Sequence, residues 1–191
     1  MLVVRAAWLV FVAFGIGAAS ACGSSGGGGG AGDNGDDGTS GEGPTGTGGS
    51  SSGCSVSSLT CGDALSAEEV ASIEPAASEY SEDGRLPCRF SIPEQSGGIF
   101  QVFCGGASLL DAQRATAEQA YPGATTETDT IGSKSFEMVV GSPGELGSTT
   151  EVAALTTSGE YVFDVSLTSG AADMDATRRL AEAIDANLSA R

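Results

Sequence analysis

The chain has 191 residues, 25 acids against eight bases, no histidine and a formal net charge of −17 at pH 7. So acidic a surface repels phosphate backbones and anionic lipid headgroups, which excludes nucleic acid as a partner and any purely electrostatic hold on a membrane. The absence of histidine removes the commonest general base, the usual triad member and a principal zinc ligand.

The N-terminus opens on a short stretch carrying Arg5, followed by Ala6–Ala21, which is apolar or small throughout. These 16 residues fall short of the roughly 20 that a membrane-spanning helix needs. A charged start, a short apolar core and a small-residue end form the pattern of a cleavable export signal. Residues 1–21 are therefore read as a signal segment and set apart from the fold, a retained anchor helix being the other reading. The four residues Ala19-Ser20-Ala21-Cys22 resemble the lipobox of bacterial lipoproteins, with Ala19 where Leu is usual. That resemblance implies that Cys22 is lipidated on sulfur, that the signal is cut before it and that the new amino end is acylated. Ordinary signal cleavage is the alternative. Several acyl chains, each CH₂ adding roughly 0.8 kcal/mol, make a stable anchor. Gly23 resembles outer-membrane sorting in a host with two membranes, because the inner-membrane retention signal is Asp at that position.

Residues 23–53 are almost entirely Gly, Ser, Thr and Asp, with no large apolar side chain. Nothing there offsets the entropy of ordering the chain, so 22–53 are read as the lipidated cysteine and a disordered tether. A Gly/Ser coil of that length spans roughly 30 Å by the square-root rule. Two nucleophile-elbow spellings (Gly23 to Gly27, Gly49 to Gly53) and one dinucleotide fingerprint (Gly41 to Gly46) occur here. They lack the strand–turn–helix frame those motifs need. Asp33 to Gly38 lacks the third-position oxygen and twelfth-position Glu of a calcium loop, and reads as an acidic spacer.

The remaining 138 residues, 54–191, make one domain by size, with 21 acids against seven bases. Four cysteines remain: Cys54, Cys61, Cys88 and Cys104. An even number in an exported chain implies two disulfides, with three possible pairings. Zinc does not fit, for want of ligand spacing.

In chain order, Leu65 to Val70 fits a capping box, with Ser66 as cap, Glu69 three residues on and Leu65–Val70 as the hydrophobic staple. Pro75 ends that helix. Glu68 and Glu69 read as first-turn carboxylates favoured by the helix dipole. Leu86–Ile92 alternates and Ile99–Cys104 is a second strand, joined through EQSGG. If Cys88 faces Cys104, then Phe90 faces Val102 and Ile92 faces Phe100, so this register admits a Cys88–Cys104 bond. A helix follows, capped at Ser108 and stopped by Pro122-Gly123. Phe136, Met138 and Val140 share one face of the next strand. A hairpin turning at Ser158-Gly159 puts Val152, Ala154 and Thr156 in line with Tyr161, Phe163, Val165 and Leu167. In the last helix Leu180, Ile184 and Leu188 share one face, and Asp175–Arg179 and Arg178–Glu182 are i,i+4 pairs. The whole reads as α+β: an antiparallel sheet of about five strands with three helices packed on one face.

Cys61 to Val70, Leu86-Pro87-Cys88-Arg89-Phe90 and Thr130 to Phe136, followed by a hairpin and closing helix, resemble a family of uncharacterised lipoproteins common in actinobacteria. The resemblance implies a Cys61–Cys88 bond, leaving Cys54–Cys104, a pair that departs from the family pattern. It supplies no activity.

No catalytic, cofactor-binding or metal-binding residue is expected. Lys134, the only lysine, has its serine adjacent rather than three positions away, and the cysteines are expected oxidised. Asn187 spells a glycosylation sequon, read as incidental. The expectation is a monomeric, non-enzymatic envelope lipoprotein, held to the extracytoplasmic side of its membrane through Cys22 and displaying a binding or scaffolding domain. A small apolar-ligand or lipid carrier is one alternative, and a carboxylate-dependent hydrolase the other.

Overall fold

Short-range hydrogen bonds decide where the N-terminal part of the domain turns. The computed structural model describes residues 54–142 and 145–191, with the side chain of Ser169 left out. The signal segment, Cys22 and the tether lie outside the described residues. Thr60 N–H donates to the Asp63 carboxylate at 2.7 Å, closing a single-turn helix α1, Cys61–Ala64. Ser66 then opens α2, Ala67–Ile73: its Oγ accepts the Glu69 N–H at 3.2 Å, and Glu69 Oε2 accepts the Ser66 N–H at 2.7 Å. Leu65 and Val70, which flank that cap, are both buried. Here the capping box stands as the spacing predicts.

The strands are β1 (Cys88–Ser91), β2 (Gly97–Cys104), β3 (Thr125–Glu127), β4 (Lys134–Val140), β5 (Thr149–Leu155) and β6 (Tyr161–Thr168), with α3 (Ala107–Ala120) between β2 and β3. A 3₁₀ turn, Ser169–Ala171, leads into α4, Met174–Ser189. All pairings are antiparallel, in the order β1-β2-β6-β5-β4-β3. The described residues therefore hold six strands and four α-helices, against about five and three expected. The additions, β3 and α1, are three and four residues long and carry no apolar period.

The helices do not share one face, which corrects the layered arrangement expected from the sequence. Phe100, Val102, Val152, Ala154, Phe163, Val165 and Leu167 face Leu180, Ala181, Ile184 and Leu188 of α4, together with Leu65 and Val70. Phe136, Met138, Ala153, Leu155 and Val162 point to the other side, where Leu110 and Ala117 of α3 cover them. Strands β5 and β6 bury residues in both directions, with Ala153, Leu155 and Val162 turned to the second side, so both faces need a cover. Helix α3 opens after Gly106 rather than at Ser108, and ends at Ala120 before Tyr121 and Pro122.

The first hairpin also departs from expectation. Cys88 lies opposite Phe100, and Phe90 opposite Gly98, four residues along β2 from the expected register. A Cβ at Gly98 would sit 2.2 Å from Cζ of Phe90, so the ring lies in space only glycine leaves. Cys88 is thus not opposite Cys104. The structure joins Cys61 to Cys88 and Cys54 to Cys104, each with its Cα atoms 5.7 Å apart.

Neither expected helical pair, Asp175–Arg179 or Arg178–Glu182, is among the ion pairs formed by the described residues; Asp175 pairs with Arg178 instead. The Nε and Nη2 of Arg178 grip Glu137 of β4 at 2.6 and 2.7 Å, and Nη1 reaches Asp175 at 3.2 Å. Glu137's side chain is 9 % exposed and Arg178's 43 %. Stripping the guanidinium from an enclosed carboxylate costs about 3–5 kcal/mol for a fully buried pair. Solvent at Arg178 reduces that, so Arg178→Ala is expected to lose about 2 kcal/mol in urea unfolding. Adding Glu137→Gln should recover part of it; a loss below about 0.5 kcal/mol would show that the pair holds nothing.

Candidate functional site

The residues singled out from the sequence are mostly occupied in holding the fold. Cys22 lies outside the described residues. Cys61 and Cys88 are buried in their disulfide. Lys134 Nζ donates to Asp111 at 2.7 Å, and both groups are shifted further toward their charged forms by that bond. Ser133 Oγ donates to the Thr156 carbonyl at 3.1 Å, so it is not aligned with the lysine. Asn187 Nδ2 donates to the Ala64 carbonyl and to Glu69, tying α4 to the start of α2.

That tie forms the wall of a shallow polar depression of about 480 Å³, lined by Gly62, Asp63, Ser66, Glu68, Glu69, Asn187 and Arg191. Hydrogen bonds from the Thr60 N–H and hydroxyl, with Arg191 beside them, hold Asp63 below the usual carboxylate range. Burial pushes Glu69 the other way but is outweighed by bonds from Ser66 and Asn187, which keep it ionised. Both carboxylates thus already have donors.

A second depression, of about 360 Å³, has a different chemistry. Val56, Leu59, Leu86, Pro87, Val102 and Phe103 line it, with Ser57, Arg85 and Gln101. It lies where β2 runs on past the start of β1, next in sequence to the Cys54–Cys104 bond. Arg85 Nη1 donates to the Ser57 carbonyl at 2.9 Å and braces the rim. Its volume is at the low end for small-molecule sites, and its walls suit an apolar group.

The sheet face that α3 covers carries two carboxyls that the sequence reading did not single out. Glu151 on β5 is opposite Ser166 of β6, and Asp164 on β6 is opposite Ala153 of β5. The two acids are therefore diagonal neighbours on one face, with backbones about 7–8 Å apart and side chains within reach. Both side chains are half-buried, packed about by protein while still touching solvent. Burial pushes Glu151 up to about 7. Burial, and then the charge of Glu151, pushes Asp164 well above its ordinary value. The alternation in β5 and β6 did put them opposite the Val152 and Phe163 side, but nothing local announced the helix above them.

Among the described residues, no cluster of three or more potential ligands gathers to hold a metal, and no helix is long and apolar enough to cross a membrane. Comparison of the chain with protein-family models, with curated proteins and with solved structures gives no match.

Proposed function

We propose that this chain is a cell-envelope lipoprotein, held to its membrane through Cys22 on the extracytoplasmic side and displaying an α+β domain for binding or scaffolding rather than catalysis. The observation that carries the reading is the pair of disulfides in the domain. Such bonds persist in oxidising, extracytoplasmic compartments and are rare in a reducing cytosol. The export-signal pattern, the lipobox resemblance at Ala19 to Cys22 and the Gly/Ser stretch before Cys54 support the same reading. In a host with two membranes, Gly23 favours the outer one.

Cys22→Ser removes the sulfur that would carry lipid. It is expected to move the protein from the detergent phase to the aqueous phase in a detergent-partition assay. Retention of the variant in the detergent phase at the wild-type level would sink the anchor.

A second reading has one observation in its favour: the apolar lining of the groove between Val56 and Phe103 suits a small apolar ligand or acyl chain. Native mass spectrometry of the protein soaked in lipid extract separates the two. Stoichiometric bound lipid supports a carrier, and bare protein supports the display of a binding face.

A further inference from the structure

Helix α3 is seated on the sheet by two kinds of contact. On one flank Arg114 pairs with Glu127 of β3 and Asp111 with Lys134 of β4. Under its centre, Leu110 and Ala117 rest on Phe136, Ala153, Leu155 and Val162. Helical geometry turns the other flank, which carries Gln113, toward β6. The register carries the row gripped at Glu127 across Phe136, Ala153 and Asp164 to Gln101. Gln113 follows that row on the β6 side, and its buried Oε1 accepts no hydrogen bond. A neutral carboxyl has a proton to donate to such an acceptor, and a carboxylate has none.

The charged groups facing this seat are Asp111, Arg114 and Glu118 from α3, Glu127 from β3, Lys134 from β4 and Arg89 from β1. Tyr121 adds a phenol at the end of the helix. Arg114 and Lys134 are engaged by Glu127 and Asp111, while Glu118 accepts from Gly123 and Thr125. Arg89 stands exposed on the edge strand, with β2 between it and β6. Neither Glu151 nor Asp164 takes part in the ion pairs described above, and no cation among the described residues offsets the burial of either.

We propose that Glu151 and Asp164 are a proton-holding pair that makes the seating of α3 depend on the surrounding pH: the helix stays down while the pair holds a proton and loosens once both groups are ionised. Two carboxylates side by side on this half-buried face repel each other and are solvated less well than in open water. Both groups are raised above their ordinary values of 4.5 and 3.8, so the folded domain keeps protons that an unfolded chain has already lost. Their stabilising contribution is therefore complete below those ordinary values. It falls as the pH climbs through the raised values of the pair, that of Glu151 being about 7. Helix α4 is on the opposite face and does not share the effect. The device belongs to the folded domain and stands apart from the anchoring at Cys22.

Hydrogen exchange on the full chain, corrected for the intrinsic pH dependence of amide exchange, reads this directly. Between about pH 5.5 and 8.5, protection of α3 amides is expected to fall at least about tenfold, with α4 amides unchanged. The double variant E151Q/D164N is expected to abolish the pH response of α3. Equal protection of α3 at both pH values, an equal fall in α4, or a response that survives in the double variant would each overturn the proposal. Should that variant fail to fold, carboxyl-carbon NMR of the wild-type chain decides. Two carboxyls with midpoints displaced well above those of the other Asp and Glu side chains support the pair, and ordinary midpoints for every Asp and Glu overturn it.

Discussion

Replacing Cys61 and Cys88 together by alanine lowers the thermal midpoint by more than about 10 °C. The bond closes a loop with a sequence separation of 27, and without it the unfolded chain regains entropy worth roughly 3–4 kcal/mol. In a domain of this size each kcal/mol moves the midpoint by roughly 3–5 °C. The bond also joins the first residue of α1 to the first residue of β1, and both sulfurs are buried, so alanine leaves a gap as well. Calorimetry of the oxidised wild type beside the double variant gives the number. A shift of only a few degrees would mean that α1 and α2 are held by packing alone.

Leu180→Ala is expected to cost about 3–4 kcal/mol in chemical unfolding. Leu180 is fully buried, on the side of α4 that meets β5, β6 and the two N-terminal helices. Losing a buried leucine forfeits its transfer energy and leaves a cavity, a combined cost of roughly 2–5 kcal/mol. The central position favours the upper half of that range, because neighbours on both sides are fixed. Leu146→Ala is the matched control: that side chain is 96 % exposed and should change stability by less than about 0.5 kcal/mol. If both variants unfold alike, α4 is not the principal cover of this face.

What the sequence makes legible depends on how far apart the determining groups lie. The Ser66–Glu69 box, the β5–β6 hairpin turning at Gly159 and the apolar face of α4 are set by neighbours a few residues apart, and they stand where spacing puts them. Alternation in the first hairpin fixes only which side chains face inward. A slide by an even number of residues keeps Cys88, Phe90, Phe100 and Val102 inward, so four residues of slip left no trace in the pattern. The ring of Phe90 over Gly98 selects the register, and that contact exists only once the strands meet. The side taken by α3 was equally hidden. Its buried contribution is one leucine and one alanine, too narrow a stripe to name a partner. For the same reason Glu151 and Asp164 read as outward-facing residues. The helix on their side of the sheet comes from more than thirty residues earlier in the chain.

The Cys54–Cys104 bond fixes how mechanical load enters the domain. Tension arriving along the chain ahead of Cys54 divides at that residue, because its sulfur leads straight into the last residue of β2. The 50-residue separation between the two cysteines is a covalent ring, so α1, α2, β1 and β2 cannot be drawn out however hard the chain is pulled. A pull reaching Cys104 is passed laterally through the eight-residue β2–β6 ladder, from Gly97↔Thr168 to Cys104↔Tyr161, to strands in the middle of the sheet. Within the domain only the chain beyond Cys104 can lengthen, so the ring bounds how far the domain itself can be stretched by such a pull.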